Sequence, residues 1–137
     1  MRTLPLAVGA VTVTSALGAG VAAHREALAG RLGGLRRNDF TDVPLETWIG
    51  RVPGLESAPV PGAASALDCR NNRLAWLAMR QDGFLEAVAA ARKRYGADRI
   101  ALLVGTSTGS IGATEEAYRR LAEAGAIPPS LRAPVLH

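Results

Sequence analysis

Cysteine, histidine, lysine and aromatic residues are all scarce in this chain of 137 residues, which has one cysteine, two histidines and two each of phenylalanine, tryptophan and tyrosine. Each scarcity excludes something. A single cysteine, Cys69, rules out an internal disulfide framework and suits a reducing compartment, so a cytoplasmic location is expected. His24 and His137 cannot build a metal site with that one thiol, and no ligand spacing brings carboxylates to help, so no metal is expected. Aromatics at 4% argue against an all-β sandwich, and none is interleaved with the basic residues as nucleic-acid binding would need. No recognition-helix, RRM or zinc-finger pattern appears either, and nucleic acid is not an expected partner.

A long charged-residue-free stretch does exist, from Leu4 to Ala23, behind Arg2. Pro5, the glycines at 9, 18 and 20 and a Thr/Ser-rich centre keep it far less apolar than a membrane span or export signal. Its residues 7–14 alternate instead, Val11 and Val13 on one face and Thr12 and Thr14 on the other, which predicts a strand followed by a turn at residues 15–20.

What is abundant is alanine, leucine, valine and glycine: 48% of the chain is hydrophobic, enough for one core, and the formal charge is +4, with Lys93 the one base that is not arginine. The order of elements predicts an α/β protein. Residues 21–33 have Val21, Leu28 and Leu32 on one helical face, with His24 as an exposed helical residue. Residues 35–65, with Pro44, Pro53, Pro59 and Pro61, read as a long irregular connection whose one strand candidate is Trp48 to Val52. Asp68 to Tyr95 reads as a helix capped by Asp68 and ended by Gly96. Ile100 to Val104 reads as a strand, followed by a glycine loop and a helix over 113–124 that ends at Gly125.

The loop Gly105-Thr106-Ser107-Thr108-Gly109 matches G-x-S-x-G between strand and helix, as a nucleophile elbow would. A hydrolase of that kind needs a downstream acid and histidine, and the only later histidine is the last residue, His137. Glycines at 105, 109 and 112 fit neither the dinucleotide fingerprint nor the P-loop, so no nucleotide cofactor is expected. Cys69, between Asp68 and Arg70 at a helix start, has no histidine marked as its base and reads as a small structural residue.

Four stretches together resemble the N-terminal portion of a β-ketoacyl-acyl-carrier-protein synthase, a condensing enzyme of the thiolase fold. They are residues 10–18 (Ala-Val-Thr-Val-Thr-Ser-Ala-Leu-Gly), residues 25–30 (Arg-Glu-Ala-Leu-Ala-Gly), Asp68-Cys69-Arg70-Asn71-Asn72-Arg73-Leu74-Ala75, and residues 99–109 from Arg99 through the glycine loop. They fall in the family's order over nearly the whole chain, and the Cys-Arg-Asn-Asn-Arg stretch is similar to synthases of aryl-polyene-type pathways.

The resemblance implies one incomplete domain over residues 1–137, part of the N-terminal half of a layered α-β-α fold. It implies an acyltransferase of fatty acid or polyketide assembly that condenses acyl and malonyl groups held on acyl carrier protein, with no cofactor, working as a homodimer or a heterodimer. The family's nucleophilic cysteine and its histidines come after the region matched here, and neither Cys69 nor His137 matches their motifs. The chain is therefore expected to be a fragment with no catalytic residue of its own and no activity alone, or alternatively a noncatalytic partner subunit of a complete condensing enzyme. By carry-over, Thr108 is expected in the wall of the acyl-chain pocket, and Arg70 and Arg73 at the contact with the acidic carrier protein.

Overall fold

Residues 6–40, 44–106 and 111–129 are described by a computed structural model in which the chain divides into two units. Unit 1 comprises Met1–Val52 and Ala78–Leu102, and unit 2 comprises Pro53–Leu77 and Leu103–His137. The described residues form four helices and two antiparallel two-stranded sheets, a mixed α and β protein.

Unit 1 opens with a tight hairpin of β1 (Thr14–Ser15) and β2 (Gly18–Ala19), with Thr14 opposite Ala19 and Ser15 opposite Gly18. The strand expected over residues 7–14 is thus confined to its end. Apolar alternation alone does not hold a strand, which needs a partner for its backbone groups, and the sheets here have two strands each. Helix α1 (Gly20–Ala29) follows directly, and the Gly20 N–H donates back to the Val13 carbonyl at 2.8 Å.

Helix α1 ends earlier than its apolar spacing predicts. Leu32 N–H reaches the Ala27 carbonyl at 2.8 Å and Arg31 N–H the Leu28 carbonyl at 3.2 Å, a Schellman closure with Arg31 in the left-handed position at φ 52°. Its buried residues are Gly20 and Ala27, while Leu28 is 69% exposed. The helix packs through its small residues, not through the leucine face.

His24 is also placed differently from expectation. It is half-buried, its Nδ1 2.8 Å from the Gly20 carbonyl and its Nε2 2.8 Å from Ser15 Oγ, and so ties α1 to the hairpin. The hairpin's turn is held from outside by a close approach: a Cβ on Gly34 would lie 2.6 Å from the Ala16 carbonyl carbon and 2.7 Å from its oxygen.

A second hairpin, β3 (Leu35–Arg37) with β4 (Trp48–Gly50), lies within the segment expected to be irregular. Trp48–Gly50 is the core of the strand candidate. Leu35–Arg37 carries two arginines and no alternation, so its pairing comes from the partner strand. Beyond it Arg36 and Arg51 both bind Asp39, at 2.7 and 3.1 Å, and the Arg51 guanidinium stacks over Phe40 at 4.5 Å. The hydrogen bond from Arg51 is the largest influence holding the Asp39 carboxyl below its ordinary range.

The expected long helix over 68–95 is two helices, α2 (Arg70–Met79) and α3 (Phe84–Tyr95). Asp82 (φ 57°) and Gly83 (φ 65°) take left-handed backbone between them. Glycine accepts that conformation readily, and Asp82 is held there by its partners: its carboxylate accepts the Val21 N–H at 3.0 and 3.1 Å and the Thr12 hydroxyl at 2.8 Å. Asp82 thereby serves the open N-terminus of α1. The α3 end at Gly96 (φ 88°), after Arg92, Lys93 and Arg94, is as its sequence predicts.

In unit 2, a 3₁₀ segment (Gly62–Leu67) leads toward α2, and α4 (Ile111–Ala124) ends at Gly125 in left-handed backbone. Helix α4 buries Ala117 completely and carries a ladder of charges outside, Glu116 and Glu123 binding Arg119 and Arg120. Leu55 and Ala117 are the buried apolar residues of unit 2 among those described.

The strand expected at 100–104 does not form. Residues 100–106 have no ladder partner, and Leu103 is 86% exposed, with Leu102 and Val104 also exposed.

Candidate functional site

The N-terminal turn of α2 gathers both arginines singled out in the sequence. Asn72 Nδ2 donates to the Leu67 carbonyl at 2.7 Å, which carries the chain from the 3₁₀ segment into the helix, and the Arg73 N–H closes the first turn on the Cys69 carbonyl at 2.9 Å. The Cys69 side chain is half-buried at this junction.

Arg73 is fixed on three sides. Its Nε donates to Asp68 Oδ1 at 2.7 Å, its Nη2 to Asp68 Oδ2 at 2.6 Å, and its Nη1 to the Glu56 carbonyl at 3.0 Å. The planar guanidinium matches the carboxylate fork to fork, a geometry lysine could not supply. Asp68 Oδ1 also accepts the Val60 N–H at 3.2 Å. Asp68, expected as the helix cap, therefore acts as a clamp between the loop at 56–60 and the helix. The Arg73 hydrogen bonds first, and then the Val60 N–H, hold the Asp68 carboxyl below the ordinary aspartate range, and Asp68 in turn raises Arg73.

Arg70 is held more loosely. Its Nη1 lies 2.5 Å from Glu56 Oε1, with both side chains about half exposed, at 53% and 50%. An exposed pair of this kind contributes little to stability and exchanges partners at low cost. Exchanging Glu56 for another carboxylate or phosphate therefore costs Arg70 little at this one contact, whereas Arg73 would have to break a two-pronged pair and a backbone contact.

The glycine loop approaches the same helix turn: the Thr106 hydroxyl donates to Asn71 Oδ1 at 2.8 Å. Thr108, Ser107 and Gly109, like His137, lie outside the described residues. Among the described residues, no group of three His, Cys, Asp or Glu side chains is placed to hold a metal ion, and no helix is long and apolar enough to cross a membrane.

Sequence reasoning passed over Glu56, Asn71 and the clamping role of Asp68. Glu56 lies in a proline-rich stretch without periodicity, fourteen positions before its partner Arg70, so no local spacing announces the pair. Asn71 sits in a stretch the resemblance singled out, yet only the loop's return to α2 gives its amide a contact. Compared with protein-family models, curated proteins and solved structures, the chain matches none of them.

Proposed function

We propose that this chain is the N-terminal region of a β-ketoacyl-acyl-carrier-protein synthase, contributing to a layered α-β-α fold of the thiolase type. In this reading its part is to dock the carrier protein and to wall the acyl pocket. The transfer of the acyl group to a cysteine, the decarboxylation of the malonyl group and the Claisen condensation use residues that no motif in this chain matches. The protein works in the cytoplasm, with Arg70 at the rim of the carrier-protein contact, Arg73 bracing the helix behind it and Thr108 in the pocket wall.

The observation that carries this reading is the 2.8 Å hydrogen bond between Thr106 and Asn71. Two of the four stretches on which the resemblance rests, thirty-five residues apart, are joined by it. Supporting it, the exposed run Leu102-Leu103-Val104 has the composition of a central strand, and each of these side chains would contribute about 2 kcal/mol on full burial against neighbouring strands or helices.

Titration of the ¹⁵N-labelled chain with acyl carrier protein tests the reading. The expected result is a saturable set of amide shifts centred on residues 69–73, with no condensation product from acyl- and malonyl-carrier protein. Absence of shifts, or turnover by this chain alone, would overturn it. The exposed apolar run at 102–104 equally suits a noncatalytic subunit, and co-purification with a complete condensing enzyme, without carrier-protein binding, would favour that second reading.

A further inference from the structure

The contact between Ser15 and His24 has the parts of an activated nucleophile, and it uses none of the residues named at the start of α2. A carbonyl oxygen can only accept, so the 2.8 Å contact of His24 Nδ1 with the Gly20 carbonyl puts a hydrogen on Nδ1. In the neutral ring Nε2 is then the acceptor, and the Ser15 hydroxyl, 2.8 Å away, donates to it. This is a nucleophile bound to a base whose tautomer is set by a third group, here the helix carbonyl one turn earlier. The Leu17 N–H also donates to Ser15 Oγ, at 3.1 Å, from the turn of the hairpin, and favours the oxygen as its proton leaves. Ser15 and His24 are both half-buried, so the pair is shielded in part and still reachable.

We propose that Ser15 and His24 form an acyl-transfer site for small activated esters and thioesters. Ser15 Oγ attacks the acyl carbonyl while its proton passes to His24 Nε2. The bond from the carbonyl carbon to the leaving oxygen or sulfur breaks, and that proton goes to the leaving group, which leaves an ester on Ser15. Water then attacks the ester, giving its proton to Nε2. The carboxylic acid departs and Ser15 Oγ takes the proton back.

Incubating the full chain with p-nitrophenyl acetate and mapping the acetyl group by peptide mass spectrometry tests this. The expected result is one acetyl group, on Ser15, with its rate of appearance falling about 100-fold in His24→Gln, the size of effect a positioned general base supplies. Gln keeps a hydrogen-bonding side chain at that position but cannot take the proton. Free imidazole added to His24→Gln is expected to raise the acetylation rate at Ser15 by a larger factor than at Cys69 or Lys93 of the same chain, which a merely structural histidine would not allow. Acetyl found on Cys69, Lys93 or the N-terminus and not on Ser15 overturns the proposal, as does equal labelling of Ser15 in wild type and in a folded His24→Gln. Because the site mapping is done on the wild-type chain, it decides the matter even where the variant does not fold.

Discussion

Arg73 grips Asp68 with two parallel hydrogen bonds, 2.7 and 2.6 Å long, across the start of α2. The same carboxylate holds the Val60 N–H, so one aspartate fastens the loop that precedes the helix to the helix itself. The neighbouring Arg70–Glu56 pair, by contrast, is about half exposed.

The Asp68 carboxyl carries a signature in pH. Arg73 and the Val60 N–H hold it below its ordinary value, so its folded state binds a proton less readily than the unfolded chain does. The stability it contributes is therefore fully present above the ordinary aspartate value of about 3.9 and is lost as pH falls through the lower folded value. The Val60 amide shift, followed by NMR in an acid titration, is expected to move with a midpoint below about 3.9. In Arg73→Gln that midpoint rises toward the ordinary value. A wild-type midpoint at the ordinary value would contradict the clamp.

Among the described glycines, Gly34 has the closest approach of backbone to its missing side chain. A Cβ there would meet backbone atoms of Ala16 at 2.6 and 2.7 Å, and backbone cannot move aside as a flexible side chain can. Gly34→Ala is expected to cost about 1–3 kcal/mol in urea unfolding. Gly33→Ala, where a Cβ has open space, is expected to change stability by less than about 1 kcal/mol. Equal effects at the two positions would remove the packing argument.

Arg31 occupies a backbone conformation better suited to glycine. At φ 52° it closes the Schellman turn of α1 with a Cβ in the left-handed region, a strain of roughly 1–2 kcal/mol. Part of that strain is relieved in Arg31→Gly, less the extra freedom glycine has in the unfolded chain. The expected outcome is a gain of up to about 1 kcal/mol in chemical unfolding. A loss would mean that the arginine side chain contributes more than its backbone costs.

Signals that lie within a single element were readable in the sequence. The end of α3 follows from Gly96 behind three basic residues, and the end of α4 from Gly125, because a left-handed cap and a favourable charge act within one turn. Effects that depend on distant partners were not. The break at Asp82-Gly83 is held by Val21 and Thr12, about sixty and seventy residues away, and the clamp of Arg73 reaches back to Glu56. His24 reads as a surface residue by helical spacing, yet Ser15 and the Gly20 carbonyl draw its ring inward. The apolar run at 100–104 has strand composition, but a ladder also needs a neighbour, and no sheet of the described residues includes it.

The most direct test of the account is the affinity of acyl carrier protein for the chain and for Arg70→Glu, measured by titration calorimetry at low salt. The Arg70–Glu56 pair is half-exposed and shares no side-chain atom with the Arg73–Asp68 clamp, so the substitution is expected to leave that clamp in place. Reversing the charge at the proposed docking rim is expected to weaken binding about tenfold, equivalent to ~1.4 kcal/mol, and the loss should shrink as salt is added. Equal affinity of the two chains at every salt concentration would contradict the proposed carrier-protein contact at the head of α2.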